Sequence, residues 1–303
     1  MSNIIPPLKG VLGAPELPTL VTRDPAIIKR WLSENVPSAS LDNDNDGKYS
    51  IIGVDIESIA KPPWTLRERA HLPDGPATIQ LATTGSCLIV QLALCGDGSA
   101  GYAPRVLREL MSNPKIIKCG VSIDEDALEL YRWSKEAGGA EETSWQMTSR
   151  LDLGCILPDN NPSRRAGLRE LGQKVLGVDM LKSKRLAMSN WGGPLSLEQI
   201  AYAARDAWVA AALVQRLQET GDERYQTENI ASLLRGQRGL EEMDARATAR
   251  KEARIELKEL KAREDRTEDD YVRMQELQFV LDTNRPALPP TFDKNISFPL
   301  TLL

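Results

Sequence analysis

The stretch Leu-Ser-Leu-Glu-Gln-Ile-Ala-Tyr-Ala-Ala-Arg-Asp-Ala, residues 195–207, predicts the start of the helix around which the rest of the chain is arranged. Ser196 suits the N-cap position, and Gln199 three residues later completes a capping-box pattern. Tyr202 and Asp206 are four residues apart, so a helix places them on one face, about one turn apart. From this stretch alone two interpretations stay open: a core aromatic beside a solvated charge, or two members of a functional site.

A second pattern, Tyr-Ser-Ile-Ile-Gly-Val-Asp-Ile-Glu at residues 49–57, predicts a buried β-strand that ends in two acids. Side chains two residues apart on a strand point to the same side, so Asp55 and Glu57 project together. Two neighbouring carboxylates repel each other and are difficult to desolvate, and a cation between them removes both difficulties. Carboxylate oxygens are ligands that suit Mg²⁺ or Mn²⁺.

Strands and helices alternate through the middle of the chain, after a predicted antiparallel hairpin. The hairpin strands are residues 77–82 and 87–92, joined by a Thr-Thr-Gly-Ser turn, and residues 115–121 form a further strand. This order predicts an α/β fold with a mixed central sheet flanked by helices. Asp126 follows the last of these strands in the first turn of a helix, where it either complements the helix dipole or points into a site. Sites in such sheets gather at the strand ends, which would bring Asp126 to the acids and the phenol described above.

The charge and hydropathy of the chain restrict the classes of function. The chain has 303 residues and a formal net charge of −5. This balance argues against a basic protein that coats nucleic-acid phosphates, but it permits an enzyme that binds phosphates through metals. No apolar run is long enough for a membrane span, and no secretory or mitochondrial signal is seen. We therefore expect an intracellular protein without a membrane segment.

The cysteines and the single histidine limit the available chemistry. Cys87, Cys95, Cys119 and Cys155 are scattered without C-x-x-C spacing, which favours buried reduced thiols over a zinc site. His71 is the only histidine of the chain and lies in a proline-flanked segment. Catalysis by a Ser-His-Asp triad or a Cys-His pair would need that one residue, so carboxylates and the phenol are left to carry the chemistry.

The composition changes after residue 220. Residues 241–270 are dense in both signs of charge and too poor in apolar positions for a heptad seam, which predicts one long solvated helix. The residues from 284 onward are predicted to be extended. All three phenylalanines lie in this C-terminal region, where they either dock back or present a partner-binding segment: Phe279, Phe292 and Phe298. The predicted organisation is an irregular segment 1–18, a domain 19–220 and a charged helical extension with an extended tail, 221–303.

Three short motifs carry a resemblance to a known family. Asp55-Ile-Glu57, the stretch Gly-Val-Ser-Ile-Asp-Glu-Asp at residues 120–126, and Tyr202-Ala-Ala-Arg-Asp206 resemble, in order and spacing, the exonuclease motifs of the DEDD superfamily. The tyrosine identifies the tyrosine subclass, because the histidine subclass has a histidine where this chain has Ala201. Ser189-Asn190-Trp191, just before the third motif, makes the Werner-type 3′–5′ exonuclease domain the closest likeness and ribonuclease D a more distant one.

The resemblance implies a ribonuclease H-like fold and phosphodiester hydrolysis with two Mg²⁺ or Mn²⁺ ions per site. Carried over, Asp55, Glu57 and Asp206 would bind the metal that activates water. Asp55 would bridge to the second metal, which Asp126 would reach through a water. Tyr202 would orient or deprotonate the attacking water, and Glu57 would also touch the terminal 3′-hydroxyl.

Further residues are candidates for contacts with the nucleic acid. Trp64 lies among basic residues in a predicted loop, and an equal alternative is that its ring only packs within a solvated loop. Three basic residues, Lys182, Lys184 and Arg185, lie just before the Ser-Asn-Trp element, and the alternative for them is a solvated basic turn. Together with two residues of that element, the candidates are Trp64, Lys182, Lys184, Arg185, Asn190 and Trp191.

The leading hypothesis is a metal-dependent 3′–5′ exonuclease that acts on nucleic-acid 3′ ends, with DNA favoured over RNA and the nucleus favoured over the cytoplasm. One alternative is a 3′–5′ exoribonuclease of ribonuclease D type. A second, from another class, is a non-catalytic scaffold with the exonuclease fold that binds protein partners through residues 221–303.

Overall fold

The computed structural model describes residues 1–7, 15–37, 49–59, 75–136, 144–156, 165–180, 183–226, 229–234 and 239–283. Its centre is a seven-stranded sheet in the order β1-β2-β5-β4-β3-β6-β7. The strands are β1 (Ser2–Ile5), β2 (Leu17–Thr22), β3 (Ser50–Ser58), β4 (Pro76–Ala82), β5 (Cys87–Val90), β6 (Ile116–Gly120) and β7 (Arg150–Asp152). The pairs β3–β4 and β4–β5 are antiparallel, whereas the pairs β2–β5, β3–β6 and β6–β7 are parallel. The predicted mixed sheet is confirmed.

Helices flank this sheet. In the described part of the chain they are α1 (Pro25–Asn35), α2 (Arg105–Ser112), α3 (Ile123–Glu136), α4 (Leu168–Leu171), α5 (Lys184–Ala187), α6 (Leu197–Glu219), α7 (Leu240–Ala262) and α8 (Glu268–Thr283). Within the described ranges, none of the helices combines the length and the apolar character that crossing a membrane requires.

Helix α6 is the longest element packed on the sheet, and its start is the one predicted from the sequence. The Ser196 hydroxyl accepts from the backbone N–H of Gln199 at 3.2 Å, and the Gln199 side-chain oxygen accepts from the backbone N–H of Ser196 at 3.0 Å. One face of α6 carries small buried residues, among them Ala203, Ala207 and Ala211. Small side chains let the helix backbone approach the sheet closely, which fixes the helix against β3.

The N-terminal segment differs from the prediction. We predicted irregular chain over residues 1–18, whereas Ser2–Ile5 form an edge strand antiparallel to β2. The charged amine of Met1 donates to the carbonyl oxygen of Val21, and the backbone N–H of Val21 donates to the carbonyl oxygen of Met1. Ile5 is buried. The segment is too short to show a sequence period of its own, and its conformation comes from pairing with β2.

The charged C-terminal region is helical, but its helix is interrupted. The chain separates into two compact units, and α7 and α8 belong to the second, residues 238–291. We predicted one solvated helix over residues 241–270, and this is wrong. Helix α7 ends at Ala262, and Thr267 and Asp270 cap the start of α8 reciprocally through their side chains and backbone N–H groups.

The second unit has a small apolar core of its own. The two helices bury four residues between them: Ala253, Leu257, Leu260 and Leu277. Arg273 of α8 pairs with Glu256 of α7 at 2.7 Å across their exposed sides. The predicted domain boundary at residues 220 and 221 stays a prediction, and residues up to 237 group with the first unit.

Candidate metal centre

Three carboxylates converge where the end of β3 meets α6. One carboxylate oxygen each of Asp55, Glu57 and Asp206 lies within 4.8 Å of the others. Asp55 and Glu57 reach the same side because they alternate with Ile56 along β3. Helix α6 brings Asp206 to them, so the group of three carboxylates forms only when the strand and the helix pack together.

Gly53 allows this approach. A Cβ placed on Gly53 would lie 1.8 Å from the carbonyl oxygen of Ala207, so only glycine lets the α6 backbone pass there. The contact is two residues before Asp55 and one residue after Asp206. It therefore sets the distance between the acids of the two elements.

The pKa values of the three acids are raised, which favours their protonated forms in the metal-free protein. Burial raises the pKa of Asp55 to about 7. Burial, and then the charges of Asp55 and Asp206, raise the pKa of Glu57 to about 9. Burial and the charge of Asp55 also raise the pKa of Asp206 well above its ordinary value. Half-buried oxygen donors at this spacing suit a hard divalent cation, which would stabilise the ionised forms, so the residues present fit Mg²⁺ or Mn²⁺.

Asp126 lies next to this triad, in the first turn of α3. Burial, followed by the charge of Asp55, raises its pKa well above the ordinary value. The chain enters α3 through Ser122, whose φ of 61° is left-handed. Asp152 of β7 fixes that conformation by accepting from the Ser122 N–H at 3.3 Å and from the Gly154 N–H at 2.8 Å. The structure thus places Asp126 beside Asp55, as the sequence predicts.

A fifth acid, Glu129, was not found by sequence reasoning. It lies three residues after Asp126 on the same helix, and its charge raises the pKa of both Glu57 and Asp126. The Ser58 hydroxyl, at the end of β3, donates to the Glu129 carboxylate. The signal available in the sequence was the Asp-x-x-Glu spacing, which puts both acids on one helical face.

Tyr202 joins the site through Asp206. The two side chains are hydrogen bonded, and burial together with the neighbouring acids raises the pKa of the phenol above its ordinary value. The phenol therefore keeps its proton at neutral pH and donates to the carboxylate.

The predicted nucleic-acid contacts have different outcomes. Trp191, predicted as a contact, is only 1% exposed, and its ring lies in tilted contact with the Tyr202 ring at 6.1 Å between centroids. The indole packs against the phenol, and the predicted contact of Trp191 with the nucleic acid stays a prediction. Asn190 is exposed, but its side-chain oxygen accepts from the Gly192 N–H at 3.2 Å.

The basic candidates lie next to this segment. Lys184 and Arg185 are exposed on α5, and Arg185 pairs with Glu198 of α6 at 2.6 Å. Trp64 and Lys182 fall outside the described residues. The predicted reduced cysteines agree with the structure at three positions, since Cys87, Cys95 and Cys119 are buried free thiols.

Comparison with known proteins decides the family. A family model described as 3′–5′ exonuclease matches residues 47–222, which is more than half of the chain. The chain belongs to the 3′–5′ exonuclease family. The matched range contains all three acids of the triad together with Asp126 and Tyr202, so the resemblance drawn from the three motifs is confirmed.

Two curated relatives illustrate the similarity. The chain is 35% identical over 173 residues to exonuclease 3′-5′ domain-containing protein 2 of Drosophila melanogaster, covering 56% of this chain and 25% of that protein. It is 28% identical over 195 residues to the bifunctional 3′-5′ exonuclease/ATP-dependent helicase WRN of Mus musculus, covering 63% of this chain and 12% of that protein. The chain thus spans a quarter or less of the length of these relatives.

A solved structure is also similar. The EXO domain of Nibbler from Aedes aegypti aligns with a TM-score of 0.49 and 16% sequence identity, covering 71% of this chain and 94% of that domain.

Proposed function

We propose that this chain is a metal-dependent 3′–5′ exonuclease that removes nucleotides one at a time from nucleic-acid 3′ ends, with DNA preferred over RNA. The observation that carries the proposal is the half-buried triad of Asp55, Glu57 and Asp206, with carboxylate oxygens within 4.8 Å of one another. Membership of the 3′–5′ exonuclease family supports it. The Ser189-Asn190-Trp191 flank, which resembles Werner-type domains, supports the preference for DNA.

Four acids would hold the cations. Asp55, Glu57 and Asp206 supply the oxygen donors of one site, and Asp126 beside Asp55 supplies a donor for a second. When bound, two Mg²⁺ or Mn²⁺ ions would stabilise the negative charge on the attacking and leaving oxygens of an in-line displacement. A cluster of raised pKa values is expected at such a site, because the protein aligns the acids before the cations arrive.

Side chains of the protein would orient the attacking water and the substrate end. Tyr202 donates its phenolic proton to Asp206, which leaves the lone pairs of its oxygen free to accept from a water and so to orient that water toward the phosphorus. The Glu57 carboxyl, protonated in the metal-free protein, would contact the terminal 3′-hydroxyl. The buried Trp191 ring keeps the phenol in place.

Matched 5′-labelled DNA and RNA oligonucleotides, incubated with Mg²⁺ or Mn²⁺, test this proposal. We expect a ladder of products shortened from the 3′ end, formed faster on DNA than on RNA. Asp55→Ala and Asp206→Ala should abolish the ladder while the circular dichroism spectrum stays that of the wild type. Faster shortening of RNA would favour the exoribonuclease of ribonuclease D type. No shortening of either strand by the wild-type protein would refute the enzyme.

A further inference from the structure

A cavity opens on the α5 side of the acidic triad. Its volume is about 340 Å³, and it reaches Tyr202 and Asp206, so it is continuous with the candidate metal centre. The walls combine apolar side chains with two guanidinium groups, a hydroxyl and a carboxylate: Met180, Leu186 and Ala201 with Arg185, Arg205, Ser183 and Glu198. Small-molecule sites occupy volumes of about 300 Å³ and more, so the cavity has room for a ligand the size of a nucleotide.

Arg205 is the unusual member of this wall. It precedes Asp206 on α6, and the two charges attract each other. Its Nε is buried and has no hydrogen-bond partner among the described residues, and its Nη2 makes one long contact, 3.4 Å to the carbonyl oxygen of Pro6. Buried N–H donors normally find an acceptor, so this guanidinium has unused capacity beside the cavity.

Arg185 faces the same cavity from α5. Its guanidinium pairs with Glu198, and the two side chains are 77% and 65% exposed. An exposed pair of this kind contributes little to stability, so Arg185 can exchange Glu198 for another anion. Two forked guanidinium groups on one cavity match the oxygens of a phosphate.

The charges of the site point to the same ligand. The guanidinium of Arg205 favours the ionised form of the Asp206 carboxyl, and its positive charge also attracts an anion. An anion bound by it would lie next to the metal centre. A nucleic-acid strand supplies such an anion, because phosphates follow one another along its backbone.

We propose that this cavity is a phosphate subsite in which Arg205, assisted by Arg185, binds the phosphodiester immediately 5′ of the scissile one. The inference rests on the proposed 3′–5′ exonuclease function. The direction follows from the chemistry of the substrate end. The terminal nucleotide carries only a hydroxyl on its 3′ side, so the second phosphate of the substrate necessarily lies on the 5′ side of the bond that is cut.

A neutral linkage tests the subsite on the full chain. One oligonucleotide carries phosphates throughout, and a second carries an uncharged methylphosphonate at the linkage immediately 5′ of the first bond cut. We measure kcat/KM for removal of the first nucleotide from each. Because a hydrogen bond to a charged group is involved, the wild-type protein should prefer the charged linkage by about tenfold or more. Arg205→Gln should reduce this preference to about one, and Arg205→Lys should restore part of it.

Arg216 provides the matched control, because it is an arginine on the same helix whose partner is Glu219 at 3.7 Å, outside the cavity. Arg216→Gln should keep the wild-type preference. Arg205→Gln should also lower the slope of log(kcat/KM) against log[salt] by about 0.7, the value for one contact to a single strand. If Arg205 only held α6 in place, its loss would slow the cleavage of both oligonucleotides equally.

Two outcomes overturn the subsite while leaving the exonuclease intact. One is a wild-type protein that cleaves both oligonucleotides equally well, and the other is an Arg205→Gln protein that keeps the full preference. Failure of the wild-type protein to cleave the all-phosphate oligonucleotide has a different meaning, since it refutes the proposed function and the subsite together.

Discussion

A Cβ on Gly53 would lie 1.8 Å from the carbonyl oxygen of Ala207, so the backbone of α6 rests directly on the backbone of β3. This contact joins the two elements that carry the triad. Asp55 follows Gly53 by two residues, and Asp206 precedes Ala207 by one. The packing of the core and the geometry of the candidate metal centre therefore depend on the same point.

Gly53→Ala should disturb the packing of the core and the geometry of the candidate metal centre. The new methyl group forces α6 away from β3, and overpacking of this kind lowers the free energy of unfolding by about 1–3 kcal/mol or more. We expect lower thermal stability, weaker Mn²⁺ binding and loss of nuclease activity. Gly85→Ala is the control, because a Cβ there meets nothing within 4 Å. Equal stability and activity in the two variants would contradict the proposed role of the contact.

The stability of the metal-free protein should fall as the pH rises. The folded pKa of Glu57, about 9, lies above its ordinary value of 4.5. The folded protein therefore binds more protons than the unfolded chain between these pH values, and the free energy of unfolding decreases across that window.

Thermal melts at pH 5 and pH 7 test this expectation. Without metal, the melting temperature should be lower at pH 7, and Mn²⁺ should raise it more at pH 7 than at pH 5, because the ionised acids bind the cation. Glu57→Gln should flatten the pH dependence in the absence of metal. A melting temperature that rises with pH in the metal-free wild type would show that the acids are not arranged as described.

Tyr202→Phe should lower kcat by roughly 10²–10⁴, the range for a positioned acid–base group. The ring, its contact with Trp191 and the three carboxylates are kept, so the affinity for Mn²⁺ and the thermal stability should change little. The control is Tyr102→Phe, since Tyr102 is 62% exposed. Steady-state kinetics with both variants decide the matter, and a Tyr202→Phe protein with the wild-type kcat would remove the phenol from the mechanism.

A buried lysine away from the site makes a separate prediction. Burial, and then the charge of Arg150, lower the pKa of Lys118 to about 7 from its ordinary value of 10.5. The unfolded chain therefore binds the proton more strongly, so the contribution of Lys118 to stability decreases as the pH falls from about 10.5 to 7. Between pH 7 and 9 this contribution is opposite in sign to that of Glu57.

Lys118→Met should consequently unfold at higher denaturant concentration than the wild type at pH 7, and this advantage should shrink toward pH 10. The variant loses one hydrogen bond, from Lys118 Nζ to the Asn113 carbonyl at 2.9 Å, which reduces the gain. Lys115→Met, at an exposed position three residues earlier, should show little change at either pH. A Lys118→Met gain that grows toward pH 10 would exclude the stated cause.

Local periodicity was sufficient to predict which side chains of β3 and of α6 share a face. Alternation along β3 put Asp55 and Glu57 on one side, and helical spacing put Tyr202 and Asp206 on one face. The capping residues of α6 were predicted correctly for the same reason, because capping depends on neighbours within one turn.

Features that depend on distant partners were not predicted. The strand Ser2–Ile5 forms because β2 offers it an edge, and the role of Gly53 appears only when α6 is packed on it. The burial of Trp191 and the unpaired Nε of Arg205 likewise follow from tertiary packing. The interruption between α7 and α8 was the exception, since the Thr-Glu-Asp-Asp pattern at residues 267–270 was a local capping signal.

Whether the half-buried carboxylates bind divalent cations is tested most directly by isothermal titration calorimetry of the wild-type protein with Mn²⁺ near pH 7. Because the metal-free acids hold protons that a cation displaces, we predict saturable binding of two ions per chain, with a heat that changes with the ionisation enthalpy of the buffer. Asp55→Asn, which removes an acid that would hold both ions, should abolish it. No saturable binding by the wild type, or binding that Asp55→Asn leaves unchanged, would contradict a metal centre at this site.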